Sequence, residues 1–371
     1  MPMASARRSS TALLAWVWTA LIAYATLFPF TDWRWPPGAG PADLLVLRWP
    51  RWWGGFDVGA NLLGYLPLGL LVGLGMLSKG RSKPLAAAGG FVAGLCLSYG
   101  LEVTQHLLPQ RVPSLMDWVL NSAGAALGGL LAAALGAAGL PPRLQRAHDR
   151  WLGAGGAGAM VLLLLWPVAL LFPAPVPLGL GQVGGLLREW ALTVLTDVPW
   201  AEAAIEWLED EPAQPSLSRL SEGLAVVLGL LSPCLIAFAA SRPPWRRAGW
   251  AIGAPLVAVA ATTLSTALNF GPDHAFAWHT PGVVAALSIG TVIALSLVWI
   301  GPRTAAGLAL VALTGLVMLV HQAPTDPYFA QSLQGWEQGR FIRFHGLARW
   351  VGWLWPYAAM AWLLARPRPA D

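Results

Sequence analysis

The sequence predicts an all-α protein, a polytopic bundle of about ten transmembrane helices with both termini in the cytoplasm. Three observations lead there. Apolar residues make up 56% of the 371 positions and charged residues only 11%, where a soluble chain carries about a quarter. Apolar runs approach the roughly 20 residues needed to cross a bilayer near 11–30, 57–77, 84–107, 115–138, 153–172, 223–240, 248–268, 280–300, 304–321 and 350–365. The basic residues between these runs alternate from loop to loop, as the positive-inside rule requires.

The first run follows "ARRSS" and is too long for a signal-peptide core, so it reads as an uncleaved helix. With the N-terminus inside, "RR" at 7–8, "KGRSK" at 79–83, "RLQRAHDR" at 143–150, "RPPWRR" at 242–247, Arg303 and "RPRP" at 366–369 all fall in the cytoplasm. These hold fourteen of the 23 Lys and Arg in few loop residues. Twenty-two Trp against five Tyr suit anchoring at two membrane surfaces. The net charge of +5 sits in short loops and gives no sign of nucleic-acid binding. Cys96 and Cys234 lie in separate apolar runs and form neither a disulfide framework nor a ligand pair.

Between the fifth and sixth runs, 173–222 combines the Pro-rich "FPAPVPLG" with Trp and Leu at helical spacing beside acids. It predicts short amphipathic helices lying on the outer surface. The chain therefore divides at this segment into 1–140, 141–222 and 223–371.

The polar residues that break the apolar pattern are concentrated early. "DVGANLLGYLPLG" at 57–69 and "DWVLNSAGAALGG" at 117–129 share Asp, Asn four residues on, and Gly three beyond. Asp57 and Asp117 stand at helix N-termini, where an acid caps free amides and suits the dipole. Asn61 and Asn121 lie one turn deeper, about 6 Å along the axis, where an amide needs a partner inside the bundle. Gly69-x3-Gly73, Gly90-x3-Gly94 and Gly124-x3-Gly128 offer small faces for close helix approach. The connection "SYGLEVTQHLLPQRVPSLMDWVLN" adds Glu102 and Gln105 on one helix face, then Arg111 between Pro109 and Pro113. An ionised Glu inside a span should face protein or a wet cavity. One hairpin thus delivers Glu, Gln, Arg, Asp and Asn to one end of the bundle, and the second run adds Asp57 and Asn61.

This constellation resembles the VanZ-like family. The family's pattern is Glu-x2-Gln, an Arg in the loop, then Asp-x3-Asn-x2-Gly. It is carried here by Glu102, Gln105, Arg111, Asp117, Asn121 and Gly124, after an Asn-x5-Pro-x-Gly element at Asn61, Pro67 and Gly69. The resemblance covers about 11–140, a four-helix membrane domain, and the remainder is a multi-helix extension. Ser114 stands where the family often has a loop acid. The resemblance implies a bacterial cytoplasmic-membrane protein of the cell envelope, in a family whose naming member is associated with teicoplanin resistance.

Three functions are compatible with these residues. The site Asp57, Asn61, Glu102, Gln105, Arg111, Asp117 and Asn121 can bind an anionic membrane lipid or lipid-linked wall precursor, with Arg111 gripping phosphate and helix N-termini assisting. The same groups can instead form a purely structural network. Glu102 is the candidate general acid or base of an enzyme, although no nucleophile motif, HExxH, Walker loop or dinucleotide fingerprint occurs. Transport or lipid flipping is a third class. No cofactor and no metal are expected, and protein partners are unspecified. Asp273, His274, His279, His321, Asp326, Glu337, Arg340, Arg343 and His345 gather in outer loops of the C-terminal half without the spacing of a recognised zinc site.

Overall fold

The computed structural model describes residues 10–28, 30–52, 54–140, 151–152, 156–172, 174–196, 198, 200–209, 217–241, 244–270, 275–323 and 342–366. Among the described residues there are twelve α-helices and no strand. Contacts divide the chain into two compact units, Met1–Arg150 and Trp151–Asp371.

Unit 1 contains α1 (Ser10–Leu27), α2 (Gly55–Ser78), α3 (Lys83–Gln105) and α4 (Leu115–Ala137). Gly80, in the left-handed region at φ +76°, makes the tight reversal from α2 to α3, and Pro84 opens α3 in its first turn, where no amide partner is lost. α2, α3 and α4 pack as a triplet through the expected small faces. A Cβ on Gly124 would fall on the Leu62 carbonyl oxygen, and one on Gly128 on that of Leu66. A Cβ on Gly69 or Gly94 would fall on Ala125, and one on Gly90 would press the Gly69 carbonyl. Backbones therefore meet where a larger side chain would hold them apart. α1 is fastened to α2 by the Trp18 indole, which donates to the Gly64 carbonyl at 2.8 Å.

Unit 2 contains α5 (Ala157–Ala169), α6 (Gly184–Leu195), α7 (Glu202–Glu209), α8 (Arg219–Ala240), α9 (Pro244–Phe270), α10 (Pro281–Ser296), α11 (Pro302–His321) and α12 (Ile342–Leu364). α8 is the core helix, with an unbroken buried stretch from Gly229 to Ala240. Arg247, 3% exposed, ties its end to that of α10. Its guanidinium donates to the carbonyls of Ser241 (2.8 Å), Val298 (3.1 Å) and Ile300, placing positive charge at two helix C-termini where the dipole favours it.

Residues 174–183, between α5 and α6, form a non-helical strap buried among α8, α11 and α12. Leu178 packs on Gly229, and Gly181 on Val317 and Pro356. Pro356 has no amide to offer the Gly352 carbonyl four residues earlier, and the Gly181 N–H takes that place at 3.0 Å. Tyr357 donates to the Gly181 carbonyl, while the Gln182 amide donates to those of Val320 and Ala323. Non-helical backbone in a membrane bundle persists only where protein or a wet cavity satisfies its polar groups, and these bonds do so. The Pro-rich "FPAPVPLG", a divider by its sequence, thus enters the bundle, because these bonds replace the helical pairing that its prolines lack.

All ten apolar runs carry helix. Among the described residues, seven helices are long and apolar enough to cross a membrane: 57–78, 83–105, 115–137, 219–240, 244–269, 281–299 and 302–321. The apolar stretches at 11–27 and 157–169 are shorter. The fifth run was expected over 153–172, but its helix covers 13 residues, about 20 Å at 1.5 Å per residue. It starts after Gly156, and past Ala169 the chain turns into the strap.

Candidate functional site

The site lies at the end of unit 1 where α1 and α3 finish and α2 and α4 begin. Two connections cover that end and are bonded to each other: the Arg34 amide donates to the Leu107 carbonyl, and the Leu115 amide to that of Arg48. The Gln110 amide reaches the Asp32 carboxylate at 2.8 Å. Phe30 and Asp32 both have positive φ, 64° and 60°, a costly conformation for a bulky residue such as Phe.

Ser114 organises the start of α4. Its hydroxyl accepts from the Asp117 amide at 3.3 Å, an N-cap. Its own amide donates to Glu102 Oε2 at 2.8 Å. The carboxylate of Glu102, 3% exposed, thus binds the amide end of the next helix. The position read as lacking a loop acid is the joint between two site helices. The Ser-x2-Asp spacing of a capping box was visible in the sequence.

Asp117 accepts from the Asn61 side-chain amide at 2.7 Å, joining α4 to α2. One turn deeper, the Asn121 amide donates to the Ser98 hydroxyl at 3.0 Å, joining α4 to α3. The Tyr65 hydroxyl lies beside that same serine, within electrostatic reach of Glu102 and Asp117. Tyr65 and Asn121 are 4% and 5% exposed, yet the Tyr65 hydroxyl and Asn121 Oδ1 have no well-formed hydrogen bond. Sequence reasoning missed Tyr65 and Ser98, although Tyr65 lies four residues after Asn61 and Ser98 four before Glu102, each on the same helix face.

Gln105 and Arg111 turn toward α1. The Gln105 amide donates to the Thr26 carbonyl at 3.1 Å and the Arg111 guanidinium to that of Phe28. Both answer carbonyls left over at a helix C-terminus. Arg111 and Asp117 are half-buried, whereas Glu102, Gln105 and Asn121 behind them are buried. Asp57 is exposed, and its carboxylate accepts from the Gly54 amide at 3.1 Å, closing the first turn of α2 in a capping arrangement. Six of the seven expected residues thus take part in contacts between elements, and Asp57 serves its own helix.

In the C-terminal half, the His321 ring bonds back to the Val317 carbonyl of its own helix at 2.8 Å, and His279 stacks edge-on with Trp278. Asp273, His274, Asp326, Glu337 and Arg340, with the side chains of Arg343 and His345, lie outside the described residues. Among the described residues no group of three or more His, Cys, Asp or Glu side chains is placed to hold a metal ion.

Long apolar helices in antiparallel order, with polar groups gathered at one end, define a multi-pass membrane protein. Residues 6–136 match the model of the VanZ/LLP1 family, and the rest of the chain is unassigned. Comparison with curated proteins and with solved structures gave no match.

Proposed function

We propose that the protein is a ten-span protein of the bacterial cytoplasmic membrane with both termini inside. Its N-terminal unit holds, on the outer side, a polar site for the anionic head group of a membrane lipid or lipid-linked wall precursor. The role is one in the cell envelope, in keeping with the family's association with glycopeptide resistance. The observation that supports this reading is the gradation at the polar end of unit 1. Arg111 and Asp117 stay half-exposed at the rim while Glu102, Gln105 and Asn121 behind them are buried. A guanidinium at a membrane rim is suited to phosphate.

A second reading, a non-catalytic scaffold, is favoured by particular bonds. Gln105 and Arg111 bond to the end of α1, and Glu102 to the start of α4. In that account the cluster only locks four helices together. Arg111→Lys separates the two. The binding account expects a normally expressed, monodisperse protein that no longer retains anionic phospholipid or undecaprenyl-linked lipid through purification, read by mass spectrometry of bound lipid. Loss of the protein from the membrane, or unchanged lipid retention, would favour the scaffold.

A further inference from the structure

We infer that α6 is an interfacial helix seated on the outer leaflet of the bilayer, held there by apolar contact and not by charge. α6 leaves Leu187, Trp190 and Val194 exposed, with Trp190 at 64%. At about 100° per residue these three fall within about 60° of the helix circumference. Glu189 and Thr196, also exposed, lie on the opposite side.

The occupant of that face follows from how α6 is tethered. The buried strap 174–183 is fixed to the end of α11 through Gln182, and Gly184, the first residue of α6, packs against the ring of His321, the last of α11. α11 is one of the helices long enough to cross the membrane. The start of α6 therefore sits level with the end of a spanning helix. An exposed Leu–Trp–Val face at that height meets lipid head groups and upper acyl chains, the environment in which Trp anchors are found. The Arg188 guanidinium donates to the Leu208 carbonyl and joins α7 to α6, so the two helices form one arm.

Charge complementarity is wrong for the alternative, attraction to anionic lipid. Across 184–209 there is one basic residue, Arg188, against Glu189, Asp197, Glu202, Glu206 and Glu209. An arm of that sign gains nothing from an anionic surface, so burial of apolar area is the driving term.

The test uses the full chain in liposomes, with Cys96→Ala removing the exposed thiol and the buried Cys234 left in place. Nitroxide labels are attached singly after Leu187→Cys, Trp190→Cys, Val194→Cys, Glu189→Cys and Thr196→Cys. Collisions with oxygen, which enriches in lipid, should exceed those with a polar nickel chelate several-fold at 187, 190 and 194. The ratio should reverse at 189 and 196. The pattern should be the same in phosphatidylcholine and in phosphatidylcholine with phosphatidylglycerol. Nickel access at all five positions would place the arm in water and overturn the inference. Exclusion of both relaxants at 187, 190 and 194 would mean a protein covers the face, and would overturn it equally. A pattern present only with phosphatidylglycerol would overturn the claim that charge plays no part. None of these outcomes depends on the lipid site proposed for unit 1.

Discussion

Gly64 and Gly124 occupy the same place in the repeated Asp-x3-Asn-x2-Gly motif, yet the structure gives them opposite surroundings. A Cβ on Gly64 meets nothing within 4 Å, whereas one on Gly124 lands on the Leu62 backbone carbonyl. Ordinary contact needs 3.4–4 Å, so α2 and α4 must separate by an ångström or more to admit Gly124→Ala. A gap of that size forfeits a quarter to a half of each dispersion contact along the crossing. Overpacking of this kind costs about 1–3 kcal/mol, about 5- to 150-fold in the unfolding equilibrium. Gly64→Ala, by contrast, should be neutral or stabilising by up to about 1 kcal/mol, because alanine loses less backbone entropy in a helix. Unfolding of the purified full chain in a mild detergent, followed by steric trapping or by thermal loss of the monodisperse peak, measures both. Equal effects of the two substitutions, or a larger loss at position 64, would refute the packing of α2 on α4 described here.

Three further outcomes follow from named contacts. Ser98→Ala removes the acceptor of the buried Asn121 amide and should destabilise unit 1 by about 1–3 kcal/mol; Tyr65→Phe, which removes a hydroxyl without a good partner, should do less, and the same unfolding assay ranks them. Glu102→Gln keeps an oxygen able to accept from Ser114, so the protein should stay folded while Glu102→Leu loses stability. If Glu102→Gln also keeps full envelope function in a complementation assay, an acid–base role for this residue is excluded. Arg247→Lys cannot span the carbonyls of Ser241, Val298 and Ile300 together and should cost about 3 kcal/mol, seen as a lowered Tm of the full chain.

Much of the fold was legible because hydropathy and charge alternation act locally. A run of twenty apolar residues has few alternatives to a helix in lipid, and helix occurs on every run marked out in the sequence. The strap 174–183 was not legible, since Gly and Pro read as a linker. Long-range bonds turn it into buried structure: the Gly181 amide pairs with a carbonyl freed by Pro356, a residue 175 positions away, and Tyr357 and Gln182 add bonds to the same segment. In the site, spacing on one face of a helix was enough to put Glu102 and Gln105 on α3, and Asp117 and Asn121 on α4, at the same end of unit 1; which partner each takes there, Ser114, Thr26, Asn61 or Ser98, was not legible. Spacing did not show that Asp57 and Asp117 differ, because their repeated motif is the same while the neighbours are not. Ser114 was read for the acid it replaces, when its hydroxyl and amide are what connect Glu102 to α4.

In the proposed topology, the polar end of unit 1 opens away from the cytoplasm. Val112, beside Arg111 and 82% exposed, reports on it directly through Val112→Cys in a Cys96→Ala background. A membrane-impermeant maleimide should label this thiol in intact spheroplasts as fully as in lysed ones. Labelling that requires lysis would put the site on the cytoplasmic side and rule out the proposed topology.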